Sequence, residues 1–166
     1  AYALAKIAAI GLCESYHKQY GSNFLSLMPT NLYGSKDNYH LMHSHVIPAI
    51  IRKMYEAKQK NEDVVLWGDG TPLREFTYSK DLAQTLVFLL DNYNNENPIN
   101  VGNTNNYSIK QIAELIALKL QYKGNIIWDT SKPNGDLKRL MDTTKQIKYG
   151  ILPEITFEKS LKNVYE

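Results

Sequence analysis

The chain has 166 residues, of which 43% are hydrophobic and 22% are charged, as is typical of a globular domain. Its net charge of +2, with basic residues scattered among acidic ones, argues against a nucleic-acid-binding surface. No run of about 18 apolar residues occurs, so we expect no membrane span. One cysteine cannot form an intramolecular disulfide, which favours a reducing cytoplasm. Because metal-ligand spacings such as CxxC or HExxH are absent, we expect no metal.

The first predicted element is a helix that runs from Tyr2 to about Gln19 and stops at Gly21. Tyr2 and Lys6 are four residues apart, so they lie on one face of this helix, about one turn from each other. A Lys ammonium beside a phenol favours the phenolate, and such a phenol can donate a proton to a developing alkoxide. Because many helices carry a Tyr/Lys pair at this spacing, two ordinary surface residues are the alternative interpretation.

The rest of this helix is rich in apolar residues. A broad stripe, consistent with burial on more than one side, is formed by Leu4, Ile7, Ala8, Leu12 and Tyr16. Cys13 falls among apolar neighbours, so we expect it to be a buried packing residue rather than a nucleophile.

A short apolar run over 24–28 follows the helix and is predicted to be a buried strand. We expect 29–34 to form a loop at the carboxyl end of that strand, where open α/β sheets bind their ligands. After a polar loop over 35–43, Ser44 is the candidate N-cap of a helix that fades near Lys60.

The remainder of the chain continues to alternate between strand-like runs and amphipathic helices. Predicted strands or extended segments are 64–67, 73–78, 99–101 and 125–128. Predicted helices are one that starts at Ser79, one capped by Ser108, and two short ones over about 144–149 and 156–165.

This alternation, without long hairpins, predicts an α/β fold with a mostly parallel sheet. Only about four strands can be counted, and no glycine-rich GxGxxG turn is present. Such a turn forms the pyrophosphate cradle of a dinucleotide site, so that site cannot be complete here. We therefore interpret the sequence, which does not begin with Met, as the later part of a longer protein.

Seven segments follow one another in the chain: YALAK at 2–6, MPTNLYG at 28–34, SHVIPA at 44–49, VLWG at 65–68, TPLREF at 71–76, NVG at 100–102 and DTSKPNG at 129–135. In order and spacing they resemble the GDP-L-fucose synthases, also named GDP-4-keto-6-deoxy-D-mannose epimerase/reductases, of the extended short-chain dehydrogenase/reductase family. The resemblance covers essentially the whole chain. It implies the C-terminal part of that family's Rossmann-like fold, with the end of the parallel sheet and a smaller α/β substrate-binding domain.

The resemblance implies an NADPH-dependent enzyme that epimerises GDP-4-keto-6-deoxy-D-mannose at C3 and C5 and then reduces C4, which gives GDP-L-fucose. Tyr2 would donate the proton to the C4 oxygen, and Lys6 would bind the nicotinamide ribose. His45 would move protons at C3 and C5 together with a cysteine that precedes Tyr2 in the family and is not Cys13. Without the resemblance, a histidine at a helix start is more often an ordinary polar surface residue.

Further contacts with NADP(H) and with the GDP-sugar are implied by the same resemblance. The cofactor-binding residues would be Lys6, Pro29, Thr30, Asn31, Leu32 and His45. The substrate-binding residues would be Lys53, Trp67, Arg74 and Asn134. Two of these depart from the family pattern, since Lys53 stands where Arg is often found and Asn134 where Asp is often found. Lysine keeps the positive charge without the bidentate fork of arginine, and asparagine keeps an acceptor without the charge.

The implied domain division places the C-terminal part of the NADP-binding Rossmann domain at 1–43 and the substrate-binding region at 44–166. Within the second region, about 73–101 would return to the Rossmann sheet. Because dimers of the family bury the first helix, a homodimer through that helix is expected. The chain alone is expected to be inactive, because it lacks the phosphate-binding half of the dinucleotide fold.

Two alternatives are open. Another extended reductase that acts on nucleotide sugars, such as a 4-epimerase or a 4,6-dehydratase, belongs to the same class, but a 4-epimerase needs no proton shuttle such as His45. A non-catalytic module that pairs with a partner through its first helix would also explain the Ala-rich stripe, which suits close helix approach.

Overall fold

The computed structural model describes residues 1–40, 43–152 and 155–165, which form an α/β fold. The helices are α1 (Tyr2–Tyr20), α2 (Val46–Lys60), α3 (Ser79–Asn92), α4 (Ile109–Leu120), α5 (Thr144–Lys148) and α6 (Phe157–Tyr165). The strands are β1 (Leu27–Pro29), β2 (Asn31–Tyr33), β3 (Val64–Trp67), β4 (Leu73–Arg74), β5 (Phe76–Tyr78), β6 (Ile99–Val101), β7 (Tyr107–Ser108), β8 (Ile126–Asp129) and β9 (Lys138–Arg139).

The described strands form four small sheets, with β1 paired to β6, β2 to β5, β3 to β8, and β4 between β7 and β9. Of these pairings, that of β4 with β7 is antiparallel and the others are parallel. Parallel neighbours need long crossover connections, and here helices lie between the paired strands in the sequence. The prediction of an α/β fold with mostly parallel pairing is thus confirmed.

The strands differ from the prediction in number and in position. The described residues contain nine short strands where about four were expected, because two-residue strands such as β7 and β9 are too short to show a hydrophobic period. The predicted loop at 29–34 is wrong, since it contains Pro29 of β1 and all of β2. The predicted strand at 24–28 begins only at Leu27, and Phe24 is exposed.

The helix ends are mostly where the sequence predicts them. The Gln111 N–H donates to the Ser108 hydroxyl at 3.1 Å and the Gln111 side chain accepts from the Ser108 N–H at 2.8 Å, so Ser108 caps α4 as predicted. Gly21 ends α1 with a φ of 68°, in the left-handed region that glycine tolerates best. The prediction for Ser44 is wrong, because His45 is the N-cap residue of α2 and makes no side-chain cap bond.

Two apolar clusters hold these elements together. In the larger cluster α2, α4 and α6 contribute residues beside β3 and β5, and its most deeply buried members include Ile47, Met54, Ile112 and Phe157. The smaller cluster joins α3, β6 and the segment after α5 through Leu89, Tyr93, Ile99, Val101 and Ile151. Leu27 of β1 packs against the smaller cluster. The domain boundary between 43 and 44 stays a prediction.

The first helix, α1, does not show the predicted burial on more than one side, because none of its residues is buried. Leu4, Ile7 and Leu12 are 71%, 65% and 59% exposed, and Cys13 is half-buried rather than fully packed. The physical reason is that the neighbouring sheet of β1 and β6 has two strands. Such a sheet is too narrow to cover a helix of 19 residues.

Replacing Ser108 by Ala should lower the free energy of unfolding by about 1 kcal/mol, because α4 loses its N-cap bond. Urea unfolding followed by circular dichroism measures this change. Ser15→Ala is the matched control, because Ser15 is exposed inside α1, where its hydroxyl donates to the Gly11 carbonyl, and Ala is the better helix former. Equal destabilisation by the two substitutions would contradict the capping role.

Candidate active site

The start of α1 borders a cavity beside β1. Tyr2 and Lys6 line this cavity of about 700 Å³ together with Pro29, Thr30 and Leu32. The Lys6 ammonium lies 5.5 Å from the centroid of the Tyr2 ring, within the range of a cation–π contact. Both side chains are exposed, so a ligand in the cavity can contact the phenol and the ammonium together.

His45 lies at the start of α2 and lines a second cavity of about 650 Å³. Asn31 and Leu32 of β2 line the same cavity. Leu32 also lines the cavity next to Tyr2, so the two cavities lie on either side of this residue. The His45 side chain is exposed and accessible to a ligand.

Thr30 and Asn31, which line the two cavities, are fixed by hydrogen bonds to neighbouring strands. The Thr30 N–H donates to the Val101 carbonyl at 3.0 Å, and the hydroxyls of Thr30 and Thr77 are 2.7 Å apart and hydrogen-bonded. The Asn31 side-chain amide donates to the Glu75 carbonyl at 3.1 Å. Thr30 and Asn31 are therefore held by β6, by β5 and by Glu75, the residue that precedes β5.

A separate surface surrounds Trp67, at the end of β3. The Trp67 side chain is 63% exposed, and the Lys53 ammonium lies 5.4 Å from the centroid of its ring while it donates to the Val65 carbonyl at 3.3 Å. Lys132, which sequence reasoning missed as a site residue, lies 5.8 Å from the same centroid. An exposed indole next to two ammonium groups suits a ligand that combines a planar ring with negative charge.

Asn134 and Arg74 extend this surface. The Asn134 side-chain oxygen accepts a hydrogen bond from the Asp69 N–H at 2.8 Å, which ties it to the turn that follows Trp67. A methyl group placed on Gly135 would lie 3.5 Å from Nη2 of Arg74. The guanidinium is therefore next to the segment that carries Asn134, and Lys53, Trp67, Arg74 and Asn134 belong to one region.

A second arginine, Arg139, also enters this region. The parallel register between β4 and β9 places Arg139 opposite Arg74, and Arg139 forms an exposed ion pair with Asp136 at 3.4 Å. In the sequence, Arg139 lies in a polar segment without hydrophobic periodicity. Its proximity to Arg74 depends on strand pairing, which this segment does not reveal.

Glu75 separates β4 from β5 and is 4% exposed. Its carboxylate accepts a hydrogen bond from the Met141 N–H at 3.2 Å. Burial raises the pKa of Glu75 above its ordinary value, and the bond from Met141 only partly opposes this shift. Sequence reasoning missed Glu75, although the signal was present as a charged residue inside a segment predicted to be extended.

The structure brings the residues predicted from sequence into two groups rather than one. The first group surrounds the two cavities and comprises Tyr2, Lys6, Pro29, Thr30, Asn31, Leu32 and His45. The second group lines neither of these cavities and comprises Lys53, Trp67, Arg74 and Asn134. The assignment of both groups to a single site stays a prediction.

The described part of the chain has neither a metal-binding cluster nor a membrane-spanning helix. No three His, Cys, Asp or Glu side chains there come close enough together to hold a metal ion. No helix there combines the length and the apolar character needed to cross a membrane.

The chain is similar to known proteins over almost its whole length. The sequence model of the NAD dependent epimerase/dehydratase family matches residues 1–102. The putative GDP-L-fucose synthase 2 of Arabidopsis thaliana and the GDP-L-fucose synthase of Sinorhizobium fredii are each 46% identical over 99% of the chain. The chain covers 51% and 53% of these two proteins, so it spans about half the length of the curated relatives it matches. A crystal structure of a GDP-L-fucose synthetase from Naegleria fowleri bound to NADP superposes with a TM-score of 0.91 and 34% identity, over 98% of this chain and 53% of that one.

The raised pKa of Glu75 determines how this group affects stability as the pH changes. Because the folded state holds the Glu75 proton more tightly than the unfolded state, raising the pH from the ordinary value of 4.5 through the folded pKa lowers the free energy of unfolding. Glu75→Gln removes this ionisation. The melting temperature of Glu75→Gln minus that of the parent protein should therefore be larger at about pH 7 than at about pH 4.

Thermal unfolding at the two pH values measures this difference. Glu62→Gln is the control, because Glu62 is an exposed residue. The same pH-dependent gain in both variants would contradict the effect of burial at Glu75.

Proposed function

Because the chain belongs to the NAD dependent epimerase/dehydratase family, we propose that it is the C-terminal part of a GDP-L-fucose synthase. The whole protein would use NADPH to convert GDP-4-keto-6-deoxy-D-mannose to GDP-L-fucose, by epimerisation at C3 and C5 and reduction at C4. The names of its relatives and the NADP bound to a similar structure support this proposal. The observation that carries it is the position of the Tyr2 and Lys6 pair and of His45 on either side of Leu32.

In the reduction step, Tyr2 would be the proton donor. NADPH, when bound, would supply a hydride to C4 of the keto sugar. The Tyr2 phenol donates its proton to the C4 oxygen, so the ketone becomes a hydroxyl group. The Lys6 ammonium, on the same face of α1, stabilises the phenolate that is left. Pro29, Thr30 and Leu32 line the cavity beside this pair and would hold the nicotinamide end of the cofactor.

In the epimerisation steps, His45 would transfer protons. The C4 ketone acidifies the hydrogens at C3 and C5, because the enolate spreads its negative charge onto oxygen. Removal of a proton from one face of the carbon and its return to the other face inverts the centre. An imidazole can take and give protons near neutral pH. The second acid–base group of the family, a cysteine that precedes the catalytic tyrosine, is not in this chain.

The GDP moiety would bind on the surface around Trp67. A guanidinium can form two parallel hydrogen bonds with phosphate oxygens, so Arg74 is the proposed ligand of the diphosphate. The exposed Trp67 ring offers a stacking surface for the guanine base, and Lys53 adds a positive charge beside it. Because the Asn134 oxygen already accepts from the Asp69 N–H, Asn134 would contact the nucleotide through its amide nitrogen.

The proposal also covers assembly and compartment. The exposed apolar stripe of α1 would pair with the same helix of a second copy, which gives a homodimer. The single free cysteine and the metabolic substrates fit a cytoplasmic enzyme. Residues 1–43 would belong to the NADP-binding domain and 44–166 to the substrate-binding region, and the pairing of β1 with β6 supports the return of about 73–101 to the Rossmann sheet.

A non-catalytic pairing module is the second candidate, because α1 has no buried residue and exposes Leu4, Ile7 and Leu12. Such a module would dimerise but would bind neither GDP nor NADPH. Another nucleotide-sugar reductase of the same class would bind a nucleotide, and a 4-epimerase would give His45 no role. The binding of GDP therefore distinguishes the enzymes that act on nucleotide sugars from the pairing module.

Isothermal titration calorimetry should detect GDP binding by the chain, and Arg74→Ala should weaken it. Loss of charge-assisted hydrogen bonds worth about 2 kcal/mol corresponds to roughly thirtyfold weaker binding. Arg74→Lys keeps the charge without the fork and should have an intermediate affinity. Lys123→Ala is the control, because it removes one exposed positive charge outside the site. A parent protein that does not bind GDP would overturn the proposal.

The 166-residue chain by itself should not oxidise NADPH in the presence of GDP-4-keto-6-deoxy-D-mannose, because it has no glycine-rich turn to hold the cofactor phosphates. The absorbance of NADPH measures this reaction. A full-length GDP-L-fucose synthase under the same conditions is the positive control. Turnover by the chain alone would contradict this expectation.

A further inference from the structure

Glu75 occupies the point at which the chain passes from one sheet to another. β4 ends at Arg74 and belongs to the sheet with β7 and β9, whereas β5 starts at Phe76 and pairs with β2. Glu75 is the residue between the two strands and is 4% exposed. Its conformation therefore sets how the strand that carries Arg74 lies relative to β2.

Both the backbone and the side chain of Glu75 are bonded to other parts of the candidate site. The Glu75 carbonyl accepts from the Asn31 side chain at 3.1 Å, and Asn31 lines one of the two cavities. The Glu75 carboxylate accepts from the Met141 N–H at 3.2 Å. Met141 follows β9, in which Arg139 lies opposite Arg74. Glu75 thus connects Asn31 of β2 to β4 and β9, the strands that carry Arg74 and Arg139.

The carboxylate also fits closely against the end of β6. A methyl group placed on Gly102 would lie 3.4 Å from Oε2 of Glu75 and 2.7 Å from the side-chain methyl of Thr30. Burying a carboxylate costs free energy unless hydrogen bonds compensate, whereas an apolar side chain would fill such a space at lower cost. The hydrogen bond that Glu75 accepts therefore explains the residue better than packing alone.

We propose that Glu75 is a positioning residue that fixes Arg74 relative to Asn31. This inference rests on the proposed function, in which Arg74 holds the diphosphate while the hexose reaches Tyr2 and His45. The nucleotide sugar would span both groups, so movement of the Arg74 strand would displace the hexose even when the nucleotide is bound. A misplacement of about 1 Å can cost on the order of 100-fold in rate.

GDP binding and the NMR signal of the Asn31 side-chain amide test this role in the 166-residue chain. In the parent protein, GDP should shift that signal, because Glu75 links Asn31 to the strand of Arg74. Glu75→Ala should weaken GDP binding at least about fivefold and abolish the shift. Glu75→Gln keeps an acceptor for the Met141 N–H and should restore both the affinity and the shift.

Tyr93→Phe is the stability control, because the buried Tyr93 hydroxyl donates to the Asn97 carbonyl in the smaller apolar cluster. This variant should have a lower melting temperature but the parent's GDP affinity and Asn31 shift. If Glu75→Ala does not fold, Glu75→Asp takes its place, because the shorter carboxylate cannot reach the Met141 N–H. Glu75→Asp should then also bind GDP more weakly and lose the shift of the Asn31 signal.

Parent-like GDP affinity and Asn31 shift in the Ala or Asp variant would overturn the positioning role while leaving the proposed function intact. A Gln variant as impaired as the Ala variant, or an equal loss of affinity in Tyr93→Phe, would also overturn it. A parent protein that does not bind GDP would overturn the proposed function and the positioning role together.

Discussion

The parallel pairing of β2 with β5 fixes the register of the strand that lines both cavities. Asn31 lies opposite Phe76, and Leu32 of β2 lines both the Tyr2 cavity and the His45 cavity. Side chains alternate between the two faces of a strand, so a slip of one residue would exchange the faces of β2. Leu32 would then no longer lie between the two cavities. The register is therefore a requirement of the site as well as of the fold.

An aromatic cluster fixes that register from the buried side. Tyr33 is 2% exposed, and its ring lies 6.4 Å from that of Phe76 and 5.2 Å from that of Phe157 between centroids. The Tyr33 hydroxyl is hydrogen-bonded to Ser160 of α6. Burial raises the pKa of Tyr33, so the phenol remains neutral and can donate. Because neither Leu32 nor Gly34, the two neighbours of Tyr33 in the chain, has an aromatic ring and a hydroxyl, the core also determines where Asn31 and Leu32 lie.

The parts of this arrangement that the sequence predicts are those that depend on local chemistry. Ser108 before an apolar period predicts the N-cap of α4, and the apolar run at 64–67 predicts β3. The pairing of β4 with β9 is not predictable in this way, because two residues carry no period and their partner lies more than 60 positions away. Arg139 was missed for the same reason, since its environment comes from strand pairing, whereas Glu75 was visible as a charged residue within a predicted extended segment. The burial of α1 was misjudged because an apolar stripe does not say what lies opposite it.

The resemblance implies two departures from the family's residues, at Asn134 and at Lys53, and the contacts of these two side chains differ. The oxygen of Asn134 accepts from the Asp69 N–H, and a methyl group on Gly68 would lie only 2.2 Å from it. This contact requires an acceptor but no negative charge, so Asn serves it as well as Asp would. The Lys53 ammonium instead donates one hydrogen bond to the Val65 carbonyl while it lies over the Trp67 ring. A compact ammonium on a flexible stem permits both contacts. Asn134 therefore keeps the contact with the turn that follows Trp67, whereas the Lys53 charge lies over the indole without the fork of an arginine.

The exposed apolar residues of α1 and α3 follow from the small size of the sheet beside them. α3 exposes Leu86, Val87, Phe88 and Leu90, and β1 has one described partner, β6. Parallel sheets are normally covered on both faces and contain several strands, because two strands alone are marginally stable. Pairing α1 with a second copy would cover that helix. It would leave the apolar residues of α3 exposed and would give β1 no further strand partner. Additional strands beside β1 would extend the sheet under the helices, which is the arrangement that a dinucleotide-binding half provides. A helix-pairing module therefore does not explain the exposed residues of α3 or the single described partner of β1.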